Sequence, residues 1–165
     1  MIGLSAGALH AYQKRNLLVQ AALLSEGYTL SASVKARVAD YYLQNNAMPH
    51  DNQSAELPPA KSIYGTSVKR VSVNLSGVIM VDFDEEIGRQ SMHFTPSASP
   101  MSGLLEWQCT SDSIDPKVLE LLKPTCRFTA ATNEGKLINA IANGQLDVIR
   151  QVLDGGANPL SLIHI

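Results

Sequence analysis

The sequence predicts an α+β fold: a long N-terminal helix packed on a four-stranded antiparallel sheet, a cysteine-bracketed loop after the last strand, then an α-helical hairpin. Three observations carry this reading. An apolar stripe at helical spacing runs without a proline from about Leu4 to Asn46. Four runs of strand character follow, separated by short turns rich in glycine, serine and acidic residues. Two cysteines, Cys109 and Cys126, then bracket a single excursion of the chain.

In the helical run, Tyr12, Val19, Leu23, Leu30, Val34, Val38 and Tyr41 recur at steps that hold one face. At about 1.5 Å per residue this helix would reach roughly 65 Å, about twice the diameter of a small domain, so one core cannot cover all of it. After Ser25 the helix has a single apolar stripe, with Ser31, Lys35, Asp40 and Gln44 off it, a face suited to lying on a sheet. Before Ser25, Leu17, Leu18, Ala21, Ala22 and Leu24 add to the stripe until most of the circumference is apolar. A helix apolar on several faces is either core or contact surface, and too little chain follows to bury it.

Asn45 and Asn46 suit the helix C-terminus, and the segment Met48 to Gly65, with three prolines, reads as a surface connection crossing the fold. Strand character appears at Val68 to Asn74, Val78 to Phe83, Ser91 to Thr95 and Leu104 to Cys109. In the first, Val71 and Val73 alternate with Arg70, Ser72 and Asn74, the period of a half-buried antiparallel strand. Sequential strands with short turns make a meander, and the second half of the helix is the element available to cover its apolar face. Between the cysteines, Asp115 can cap a short helix with Pro116 at its first position, running Lys117 to Leu122 until Pro124 stops it. A disulfide closing this loop would stabilise the fold by about 3 kcal/mol in the chain-entropy model; two reduced, buried cysteines are the other reading.

Composition narrows the function classes. A net charge of −2 with scattered basic residues leaves no electrostatic footprint for nucleic acid. His10, His50, His93 and His164 sit on four segments without ligand spacing, and read as surface or edge residues. Asp82, Asp84, Glu85 and Glu86 lack the order of a calcium loop and read as a solvated turn. No serine lies in G-x-S-x-G and no glycine-rich phosphate loop opens a helix. No enzyme and no cofactor is expected.

Four strings together resemble the type IV pilins and pseudopilins of Gram-negative bacteria: IGLSAGALHAYQKR with its Ala11-Tyr12-Gln13 step, VKARVADYYLQNNAMP, SIYGTSVKRVSVN, and LLEWQC followed by PTCRF. The resemblance covers most of Ile2 to Phe128. It implies a pilin-like domain over 1–128, with a helix at about 4–46, an αβ-loop at 47–66, a sheet at 67–109 and a disulfide region at 109–128. It implies a Cys109–Cys126 bridge formed in the periplasm. Tyr12, Val19 and Leu23 are then expected to pack subunit against subunit, and Leu30, Val34, Val38, Tyr41 and Trp107 to build the head core. Implied partners are other pilin subunits in a homo-oligomeric filament, the pilus assembly machinery, and the membrane through an N-terminal apolar segment. The leader junction and most of that segment do not precede Ile2 here, which reads as truncation upstream of Met1. The expected product is an extracellular filament with roles such as adhesion or motility.

From 129 to 158 the composition changes. GKLINAIANGQLDVIRQVLDGGAN resembles an ankyrin repeat, carried by Gly144, Leu146, Val152, Leu153 and Gly156, although Lys136-Leu137-Ile138-Asn139 replaces the usual opening turn. One repeat cannot bury its own faces, and a plain helical hairpin is the other reading. The last stretch, 159–165, resembles a translated sequencing adapter. Two rival functions stay open: a module whose ankyrin-like tail binds a protein partner on a pilin carrier, and a type II secretion pseudopilin or DNA-uptake pilin. For DNA uptake, Lys69, Arg70 and Arg89 are too few to form a basic stripe.

Overall fold

The computed structural model of the chain describes residues 5–122, 126–129, 150 and 153–154. Helix α1 spans Ala6–Asn45. Ser5 caps its start by accepting a hydrogen bond from the Ala8 N–H at 3.3 Å. Asn46 ends it in a left-handed conformation, φ 50°, donating its N–H to the Tyr42 carbonyl at 2.8 Å. The buried positions of α1 are Ala21, Leu24, Gly27, Ser31, Val34 and Val38, one stripe at steps of three and four. This corrects the expected stripe at Ser31, which is fully buried and satisfies its hydroxyl by donating to the Tyr28 carbonyl at 2.9 Å. The correction has a steric cause: the helix lies so close to the sheet that small residues are needed at the contact. At Gly27 a Cβ atom would stand 2.7 Å from the Phe83 ring and 3.2 Å from Val81.

Strands β1 Val68–Val73, β2 Ile79–Phe83, β3 Ser91–Ala98 and β4 Leu105–Ser111 form the expected antiparallel meander in sequential order. The sheet has five strands rather than four. A two-residue β5, Arg127–Phe128, pairs parallel to β4, with Thr110 opposite Arg127. β3 runs three residues past the expected end and includes Pro96. Ser99 donates to the Leu104 carbonyl across the hairpin, so by alternation Pro96 turns its nitrogen to the opposite edge, beyond the last residue paired with β2. β1 contains a bulge between Val68 and Arg70, which lets Val68 and Val71, three apart, both face the helix.

The core joins the α1 stripe to Val68, Val71, Val73, Ile79, Val81, Phe83, Met92 and Phe94. The segment after α1 does more than cross the surface. Its Asn52 is buried, accepts the Val73 N–H at 2.6 Å and donates to the Val71 carbonyl at 3.3 Å, lying along the outer edge of β1 as a strand would. A short helix α2, Pro116–Leu119, starts where expected. The Asp115 carboxylate accepts the Lys117 N–H at 2.8 Å, and α2 ends at Leu119, short of the expected Leu122, with two reverse turns completing the stretch. Most of the hairpin expected at 129–158, with Gly144, Leu146, Val152 and Gly156, lies outside the described residues; Arg150, Leu153 and Asp154 are helical and exposed.

Candidate functional site

From Ser5 to Gln20 no residue is buried, and Ala21 is the first helix position to enter the core. About four turns of α1 therefore stand clear of the sheet, on the order of 20 Å of helix. Leu9, Tyr12, Leu18 and Val19 project from this part, 47–60% exposed. Among the described residues no helix is long and apolar enough to cross a membrane. Leu23, at the boundary, is half-buried. Exposed apolar side chains spaced along a helix, tethered to a folded head, are suited to lying against other helices.

The head residues expected from sequence divide by depth. Val34 and Val38 are fully buried, Leu30 and Trp107 pack on the core half-buried, and Tyr41 is half-buried near the helix end. Lys35, read as a solvated position, instead extends its ammonium over the Phe94 ring at 3.7 Å, with Tyr28 and Trp107 each 5.8 Å away. Tyr28 meets Phe94 edge to face at 5.2 Å. Burial lowers the Lys35 pKa and pushes the Tyr28 hydroxyl up to about 12. This aromatic box fastens α1 to β3 and β4. His93, on the central strand β3 rather than at an edge, is half-buried, and its pKa is lowered by burial, opposed by Asp112 and Asp82.

Two devices close the head at its ends. At the start of β1, the Glu26 carboxylate accepts the Thr66 N–H at 2.8 Å, the Ser67 N–H at 2.7 Å and the Ser67 hydroxyl at 2.6 Å. The Ser67 hydroxyl and N–H, then the Thr66 N–H, hold its pKa below the ordinary carboxylate range. At the other end of the chain's path, Cys109 and Cys126 form a disulfide, both buried, with Cα atoms 4.7 Å apart. The loop it closes points Ile114, Val118, Leu119 and Leu122 into the core. Ser111 pins the loop to β3: its hydroxyl donates to the Ser91 carbonyl at 2.7 Å and accepts the Ile114 N–H at 3.1 Å. Glu26 and the aromatic box left no periodic signal in the sequence, because each depends on residues brought together from distant segments.

The structure thus pairs a largely exposed half-helix, carrying Leu9, Tyr12, Leu18 and Val19 on its surface, with a head whose last loop is covalently closed. The family model described as pilin (bacterial filament) matches residues 22–127, from one residue past the first buried helix position to one residue past Cys126. The chain is also 31% identical over 139 residues to the type IV major pilin protein PilE of Neisseria gonorrhoeae, covering 81% of this chain and 77% of that protein. Helix, meander, closing disulfide and both comparisons agree: the chain belongs to the pilin family of bacterial filament proteins.

Proposed function

We propose that this protein is a structural subunit of a type IV pilus and assembles by packing the free half of α1 against the same half of neighbouring copies. The observation that carries this reading is the stretch before Ala21, where Leu17 alone packs partly against the core while Leu9, Tyr12, Leu18 and Val19 stay exposed among the described residues. Tyr12, Val19 and Leu23 are the proposed packing residues. The head core, including Leu30, Val34, Val38, Tyr41 and Trp107, holds the sheet on the helix so that it rides outside the filament. The role is structural rather than catalytic. Likeness to a type IV major pilin supports an extracellular filament whose subunit is staged in the membrane and handed to pilus assembly machinery.

The test is Val19→Glu combined with Tyr12→Glu in the exported protein. Both side chains are more than half exposed, so the thermal midpoint of the head should stay within about 2 °C of the parent. Filaments counted by electron microscopy should disappear. Filaments of parental number in the double variant would remove the free half-helix from the assembly surface. A protein partner for 129–158 is a separate proposal, supported by the ankyrin-like string at 143–158, and deletion of 134–165 followed by pull-down tests it.

A further inference from the structure

On the side of the sheet turned away from α1, the β1–β2 pair, the 3-10 turn Ala60–Ser62 and the β2–β3 turn enclose an open groove of about 570 Å³. Four cations line it, Lys61, Lys69, Arg70 and Arg89, against two carboxylates, Asp82 and Glu85. In a chain whose net charge is −2, this is a local reversal of sign. The bulge in β1 produces it. With Val68 and Val71 both buried, Lys69 and Arg70 both lie away from the core, whereas regular alternation would send one of any two neighbours inward.

The charges are unevenly matched. Arg70 pairs with Asp82. Glu85 stands 3.7 Å from the Lys69 ammonium and 3.7 Å from the Arg89 guanidinium, outside hydrogen-bond distance of either. One carboxylate is therefore divided between two cations, whose side chains are 56% and 85% exposed and keep donors to offer. No ion pair holds Lys61 among the described residues.

We propose that this groove binds a sulfated oligosaccharide. Sulfate esters match the cations, with arginine supplying a planar fork and lysine a point charge. Asp82, Gln90 and Ser91 supply acceptors for ring hydroxyls, which a phosphodiester backbone lacks. Phe83, the aromatic residue of the lining, is only 3% exposed, which leaves no ring for a nucleobase to stack on. This proposal does not depend on filament assembly, because every residue in it belongs to the head.

The experiment is isothermal titration of the full chain at physiological salt with a heparin octasaccharide, its desulfated form, and a DNA duplex of equal charge. Heparin should bind and the desulfated sugar should not. Lys61→Gln with Arg89→Gln should weaken heparin by at least about tenfold, since two charge-assisted contacts are lost. Glu85→Gln should tighten it about threefold, because the acceptor stays while the opposing charge leaves. No heparin binding, equal affinity in the double variant, or weaker binding by Glu85→Gln would each overturn the proposal. DNA bound as tightly as heparin would replace it with a nucleic-acid site.

Discussion

Glu26 ties helix to sheet across about forty residues of chain, and its chemistry makes that tie sensitive to pH. The carboxylate takes two backbone N–H groups and one hydroxyl, and all three favour its charged form. Its folded pKa lies below the unfolded value, so its contribution is fully present above the unfolded pKa and is lost as pH falls through the folded one. Glu26→Gln should cost about 1 kcal/mol at neutral pH, because a neutral carbonyl accepts more weakly than a carboxylate. In urea unfolding followed from neutral pH to well below 4.5, the gap between parent and variant should close on acidification. A gap that stays constant would assign the loss to packing. None of this was legible in the sequence, where Glu26 is one polar residue of the helix beside Ser25 and its partners Thr66 and Ser67 lie about forty residues away. Ser31 was misread for a related reason: hydropathy marks serine as solvated, whereas a buried serine can satisfy itself on its own helix by bonding the Tyr28 carbonyl.

At the scale of elements, the spacing between α1 and the sheet is set by Gly27. Glycine inside a helix costs about 1 kcal/mol relative to alanine, so its presence there requires a compensating contact. That contact is the Phe83 ring, which occupies the space a Cβ would take. Gly27→Val should lower stability by about 1–3 kcal/mol through overpacking, despite removing the glycine penalty. Calorimetry of the variant checks it, and a rise in thermal midpoint would mean that the helix can lift without loss. Helix α1 was legible because forty residues without proline carry a periodic signal, and α2 because Asp115-Pro116 is a start signal with a clear mechanism. The bulge was not, since Val68 and Val71, three apart, do not fit the period of two of a regular strand. Nor was β5, whose two residues owe their strand conformation to the bridge next to them.

The whole head is closed by a covalent link between its last long strand and the end of its final loop. Cys109→Ser should destabilise it by about 3 kcal/mol in the chain-entropy account, and reduction of the parent should reproduce that loss in chemical denaturation. Free thiol in the exported parent, or a reduced protein as stable as the oxidised one, would contradict it. The loop's Ile114, Val118, Leu119 and Leu122 reach the same core as α1, so the link also fixes packing that the helix shares.

Asn52 bears on a hazard particular to such a molecule. A protein made to join its copies along one surface is concentrated among identical chains, each with a sheet ending in an open row of backbone donors and acceptors. Edge-to-edge pairing would then compete with ordered growth and yield tangled β-aggregates. By occupying the Val71 carbonyl and the Val73 N–H with a single side-chain amide, Asn52 leaves β1 without a template for a foreign strand at its centre, which in the proposed filament would keep this edge from competing with helix packing.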